Sequence, residues 1–531
     1  MTSWAGLRRL VRFTLRRDRV RVPLWVGGLS SLLVVSAASV VSLYPDEASI
    51  QQYVDLFGDN PALTAFAGPG YGFDDPNRGV VLVNETMLFG CIGTALMNIF
   101  LVNRHTRAEE DRERAELIRS TVVGPHAPSA AALAVIAAAN VVVGVLSSAG
   151  FVALGYATAG SIALGAAMAA VGLVFAGITA VAAQVASSGR ATLGAGATVL
   201  VATFTLRAVG DITDNWLSWL SPLGWGLKAR PFAGERWWTL GLCLVVALAL
   251  VVVAFWLSTR RDLGSGIVPP RRGAAHAARW ITTPIGLAFR LQRGTLAAWV
   301  VGLFAVGVAY GSIREDIDDM LEDNPEYADF LAQFEGASLT DSYFATAMVM
   351  LAIIAAGFAI SSTLQLRAEE SGGRAEPILA GPISRPRWAA AHLAIAVTGT
   401  VATIAAAGLG VGVSYAVVVG DAEQVPRMVG AALVTVPAVL VLVGVATLLF
   451  GLVPGQSLGA WAALALVAVV SFLGEVLRLP RWARQVSPLE HVPQLPARDL
   501  DVVPLVVLTV IAGAFIAVGL RGFRARDLRT A

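Results

Sequence analysis

Runs of about 18 or more apolar residues recur along the whole of this 531-residue chain, and each is long enough to cross about 30 Å of hydrocarbon. In such a medium every backbone N–H and C=O must be satisfied inside the segment, so runs of this length are expected as helices. Composition agrees: 56% of residues are hydrophobic and 14% charged, with a mean hydropathy of +0.68, whereas soluble domains run nearer 25% charged. No uninterrupted polar block is long enough to be a soluble domain carried on one anchor. The expected class is an all-α integral membrane protein. Cys91 and Cys243 both lie in apolar runs, which argues against a disulfide framework or a cysteine-built metal site.

The runs place twelve spans, at about 24–44, 80–103, 129–155, 162–186, 191–209 and 237–258, then about 296–313, 343–365, 388–417, 427–451, 457–474 and 501–520. Arginines crowd the N-terminus, the 104–119 and 367–387 connections, the 259–293 linker and the C-terminus. With twelve spans all five fall on one side, so both termini are expected in the cytoplasm, with the chain in the plasma (inner) membrane. Two acidic loops, one with Asp46, Asp55 and Asp59 and one from Glu315 to Asp341, fall on the other. Arg478, Arg481, Arg484 and Arg498 run against this rule. At the start, Leu7, Leu10, Val11, Thr14 and Leu15 recur at helical spacing among arginines. They predict an amphipathic helix on the inner membrane surface rather than a cleavable signal.

The chain also repeats itself. "RAEEDRERAE" at Arg107 to Glu116 returns as "RAEESGGRAE" at Arg367 to Glu376, 260 positions on. In the same order Asp59–Pro61 matches Asp323–Pro325, Ser221–Leu223 matches Ser487–Leu489, and Arg261–Leu263 matches Arg526–Leu528. Four ordered matches mean duplication. Residues 1–261 and 294–531 are then two six-helix halves in parallel orientation, joined over 262–293 by an expected cytoplasmic linker and second amphipathic segment.

Each charged repeat follows a span and precedes a return to the bilayer. In the first, Arg107, Glu109, Glu110, Arg114 and Glu116 suit a helix with i, i+3 and i, i+4 pairing, tipped by Leu117 and Ile118. In the second, Arg367, Glu369, Glu370, Arg374 and Glu376 are interrupted by Gly372 and Gly373, and Pro377 is expected to open a fresh helix presenting Ile378 and Leu379. A charged collar with an apolar tip suits docking on a soluble partner. The competing reading is a solvated loop that only follows the charge rule.

The stretch "RAEESGGRAEPILAGPISRPRWAAAHLA", Arg367 to Ala394, closely resembles the coupling-helix loop of ABC type-2 exporter permeases. The first copy departs from it at the glycines and lacks the Pro-x-Ser-Arg. "SPLGW" at Ser221 and "RRDLG" at Arg260 resemble one branch, double-length permeases assigned to polyketide-antibiotic export of the tetronasin type. This resemblance implies the type V exporter-like fold and outward movement of hydrophobic small molecules such as antibiotics, drugs or lipid-like compounds. It also implies a separate ABC ATPase subunit, in two copies, that carries ATP and magnesium. The chain itself is expected to hold no cofactor and no nucleic acid. It lacks a G-x-x-x-x-G-K-[ST] loop, its one lysine, Lys228, following "GWGL". The alternative is an ion-coupled secondary transporter of twelve spans, which usually buries ionisable residues mid-span. Here Glu85, Asp211 and Glu475 are expected near or beyond span ends. "GQSLG" at Gly455 matches a hydrolase elbow but falls between two spans rather than after a strand.

The resemblance further implies that the second and fifth spans of each half line the substrate path. That points to Met87, Phe89, Met97 and Phe100 in one half and Phe344, Met348, Met350 and Phe358 in the other. Thioethers and rings suit varied apolar cargo. Trp216, Trp219 and Trp225 are expected at the outer interface.

Overall fold

The computed structural model describes residues 3–57, 64–65, 67–269, 276–312, 339–473 and 480–528. They fall into two compact units, Met1–Gly273 and Ala274–Ala531. The repeated Asp-Asn-Pro motifs, Phe66, Phe330, Glu475, Arg478 and most of the second acidic loop lie outside the described residues.

The first unit contains α1 (Leu7–Arg17), α2 (Arg21–Leu43), α3 (Glu47–Phe57), α4 (Arg78–His105), α5 (Arg107–Glu110), α6 (Arg114–Arg119), α7 (Ala127–Ala153), α8 (Thr158–Val185), α9 (Gly189–Ile212), α10 (Pro222–Leu227) and α11 (Trp237–Ser258). The second contains α12 (Pro284–Gly311), α13 (Leu339–Ser371), α14 (Ala375–Leu379), α15 (Arg385–Val419), α16 (Gln424–Leu433), α17 (Val436–Leu452), α18 (Gly459–Leu473), α19 (Arg481–Arg484) and α20 (Val502–Ala525). No strand occurs among the described residues. The protein is an all-α membrane protein.

Eleven helical stretches among the described residues are long and apolar enough to span, α16 and α17 forming one of them from Gln424 to Leu452. Each overlies an expected span. The exception is the span expected at 457–474, where the described part of α18 has 15 residues, fewer than the roughly 20 that cross a bilayer. α12 begins at Pro284, twelve residues before the span expected from 296, because Thr283 caps the helix through the Gly286 N–H (3.1 Å) and Pro284 sits at its first turn.

The two units repeat one packing scheme. α8 lies against α4, α7 and α11 in the first, and α17 lies against α13 and α20 in the second, while α2–α7 and α12–α15 pair likewise. Small residues set these crossings. A Cβ on Gly144 of α7 would stand 2.8 Å from the Gly165 carbonyl of α8, and one on Gly451 of α17 would stand 1.9 Å from the Gly519 carbonyl of α20. Lipid gives helices no hydrophobic reason to associate, so close backbone approach and polar contacts do that work. Asn98 and Asn140, both fully buried, exchange two amide hydrogen bonds of 2.9 Å between α4 and α7. α1 packs along α7 with Thr14 buried, while Leu15 is exposed off that face.

Candidate functional site

Two of the repeated motifs meet in space. In the first unit, Arg261 clasps Glu110 with both guanidinium nitrogens, at 2.7 and 2.5 Å, and donates to Gln184 Oε1 at 2.7 Å. Arg107, 1% exposed, donates to Glu110 (2.9 Å) and to the carbonyls of Ser187 (2.7 Å), Gly264 (2.7 Å) and Ser265 (2.8 Å). One carboxylate and two guanidiniums therefore tie the end of α5, the α8–α9 turn and the segment after α11. Asp111 adds a 2.6 Å acceptor for the Gly189 N–H at the start of α9, a favourable place for a negative charge.

The second unit builds the same knot. Arg526 clasps Glu370 at 2.5 and 2.9 Å, and donates to the Phe450 and Gly451 carbonyls at 3.2 Å each. Its guanidinium also stands 5.1 Å from the ring centres of both Phe450 and Phe523. Arg367 reaches Glu370 at 3.3 Å. Glu109 and Glu369 are held differently: Arg17 of α1 grips Glu109 at 2.8 and 2.5 Å, while Arg374 of the loop itself grips Glu369 at 2.9 and 3.1 Å. Side-chain hydrogen bonding to these carboxylates raises the pKa of Arg17 and Arg374 above the ordinary arginine value.

The helical reading of the loops needs correction. The first copy is not one helix: α5 ends at Glu110, and α6 starts at Arg114 after Glu113 at φ +60°. Gly373, 260 positions later, sits at φ +68°. The break is therefore common to both copies, and only the second uses the residue for which it is free of strain. α14 opens at Ala375, two residues before Pro377. Glu113→Gly should stabilise the first unit by about 1 kcal/mol and Gly373→Ala should destabilise the second by a similar amount. Thermal unfolding in detergent checks both.

The candidate coupling residues divide by burial. Arg107, Glu109, Glu110, Glu369 and Glu370 are turned inward into the knots rather than offered to a partner, and Arg367 is only partly accessible. Arg114, Glu116, Arg374 and Glu376 are exposed. Leu117 is 72% exposed. Ile118 is partly buried and lines a small cavity with Leu10, Phe13 and Thr14 of α1. Ile378 and Leu379 are also partly buried, packed on the core of their own unit. The sequence presents Arg261 and Arg526 as marks of duplication, and nothing local reveals their partners. The signal is the survival of two charged blocks in both copies of so apolar a chain.

Of the expected path residues, Met87 and Met97 are buried in the first unit's own core, and Phe344, Met348 and Phe358 in the second's. Met350 is partly buried and receives the Tyr310 hydroxyl on its sulfur (3.1 Å). Phe89 and Phe100, 52% and 48% exposed, face out from α4.

The expectation that span interiors are almost free of ionisable groups missed Arg207. It lies inside α9, fully buried, 3.5 Å from Asp211 one turn on, and donates to the Thr64 and Ala65 carbonyls. Lys228 stands 3.9 Å from Asp211, donates to Ser218 Oγ at 2.7 Å and lies over the Trp219 ring. The tryptophan segment forms a 3₁₀ turn, Trp216–Leu220, and the short α10, with Trp216 exposed. Ser457 of "GQSLG" is buried in a turn and donates to the Pro454 carbonyl at 3.0 Å. His491 and His392 hydrogen-bond elsewhere, to Gln485 and Gln292, so Ser457 has no histidine base among the described residues.

Comparison with known proteins agrees with this architecture. The family described as "Multidrug efflux system permease Rv1217c, C-terminal domain" matches residues 7–257 and 281–524, one stretch in each half. The multidrug efflux system permease protein Rv1217c of Mycobacterium tuberculosis (strain ATCC 25618 / H37Rv) is 41% identical over 531 residues, covering 99% of this chain and 96% of the relative. Neither match supports the narrower resemblance to polyketide-antibiotic exporters. With nearly every residue of both halves aligned, the chain belongs to the Rv1217c-type family of multidrug efflux system permeases.

Proposed function

We propose that this chain is the permease subunit of an ATP-driven ABC exporter that moves hydrophobic small molecules out of the cell, and that its two charged loops carry the docking sites for two copies of a separate ATPase. The basic ends of the helices and both termini then face the cytoplasm. The observation that supports this most is the repeated build of the loops: each is knotted by a clasped carboxylate to the last long helix of its unit, and each carries exposed charges beyond the knot. Such an anchor transmits force. A push on α6 reaches α11 through Glu110–Arg261 and the α8–α9 turn through Arg107. A push on α14 reaches α20 and the end of α17 through Glu370–Arg526.

Docking contact in the first loop is assigned to Leu117 with Arg114 and Glu116, and in the second to Glu376 and Arg374, with Ile378 and Leu379 supporting the loop from beneath. For the substrate path, the exposed face of α4 at Phe89 is the better candidate than the buried methionines. In cells, efflux of a hydrophobic dye should require this chain together with its ATPase. Equal efflux without any ATPase, driven by a proton gradient, would favour the ion-coupled alternative.

A further inference from the structure

At the arginine-rich ends of α2 and α4 lies a cleft of about 280 Å³ lined by Arg21, Trp25, Phe100, Asn103, Arg104 and Arg112. It is built in two layers. Arg21 and Arg104 form the upper layer with Arg112 of the loop. Trp25 lies four residues further along α2 than Arg21, and Phe100 four residues before Arg104 on α4, so the aromatic layer sits about 6 Å deeper. The two rings stack with centroids 6.1 Å apart and planes at 24°. Arg104 is matched by the buried Asp18 at 3.2 Å. Arg21 and Arg112 are both exposed and make no hydrogen bond or ion pair within 4 Å among the described residues, although Arg112 lies within electrostatic reach of Glu109.

The fold does not demand these cations. At the offset of 260 that relates the two loops, Arg104 becomes Leu364 and Arg112 becomes Gly372, while the neighbouring "RAEE" is kept. Two exposed guanidiniums at the membrane boundary, above an aromatic floor, fit an anion carried on an apolar chain.

We propose that this cleft of the first unit binds the phosphate headgroup of an anionic phospholipid from the leaflet on the arginine-rich side, with the first acyl carbons against Trp25 and Phe100. The proposal is independent of the ATPase reading. Native mass spectrometry of the purified full chain, titrated with phosphatidylglycerol or phosphatidylcholine, tests it. Wild type should bind phosphatidylglycerol more tightly, and Arg21→Gln/Arg112→Gln should weaken that binding by about tenfold while leaving phosphatidylcholine unaffected. Trp25→Ala/Phe100→Ala should weaken the lipid but spare any binding of inorganic phosphate. If the arginine variant keeps the full preference for phosphatidylglycerol, the site is wrong. If inorganic phosphate at millimolar concentration protects wild type from thermal unfolding as well as the lipid does, the cleft is a free-phosphate site and the lipid assignment is overturned.

Discussion

Glu370→Leu should destabilise the second unit by about 3–5 kcal/mol, because it leaves a largely buried guanidinium without its counter-charge. Glu370 is 1% exposed and the Arg526 side chain 14%, so water offers little compensation. The carbonyls of Phe450 and Gly451 still accept from Arg526, which places the cost toward the lower end. Pairing the change with Arg526→Met should recover most of the loss, since it removes the orphaned charge as well. Glu110→Leu should cost a similar amount in the first unit, where Arg107 and Arg261 share one carboxylate as Arg367 and Arg526 share Glu370. Chemical unfolding in detergent measures each. A loss under about 1 kcal/mol for both single variants would mean that the knots are ordinary surface pairs.

The docking assignment makes the opposite kind of prediction. Leu117→Asp should change unfolding by no more than about 0.5 kcal/mol, as expected of an exposed site, yet lower recovery of the ATPase with the chain. Burying a leucine is worth about 1.5–3 kcal/mol, so the affinity should fall by roughly 10- to 100-fold. Reversing Glu116 should act in the same direction and depend on salt. The second loop is a poorer place for this test. Ile378 and Leu379 pack on their own unit, so aspartates there should cost about 1–3 kcal/mol of stability before any partner is involved. Equal loss of assembly and stability at Leu117 would remove the distinction and with it the docking role.

Much of the fold is legible in the sequence because one property decides it. An apolar run of span length must be helical in a bilayer, and eleven of the twelve expected spans lie on helices long enough to cross. What periodicity does not give is which way a charged side chain faces. Glu109 and Glu116 are equally polar, but one is held by Arg17 from a helix far away in sequence and the other is exposed. The left-handed turn at Glu113 was hidden for a related reason: its signal, a glycine, exists only in the other copy. Arg207 was readable. Its partner Asp211 lies four residues on in the same helix, the spacing at which two charges meet on one face. The methionines carried no comparable signal, since thioethers serve cores and binding surfaces equally well.

ATP hydrolysis by the purified chain, alone and together with its ATPase in the same liposomes, tests the central claim most directly. The chain alone should release no phosphate above background. The complex should hydrolyse ATP at a rate that a hydrophobic drug changes, and Leu117→Asp should weaken that drug response. Hydrolysis by the chain alone, or drug transport by the chain in the absence of any ATPase, would contradict the account.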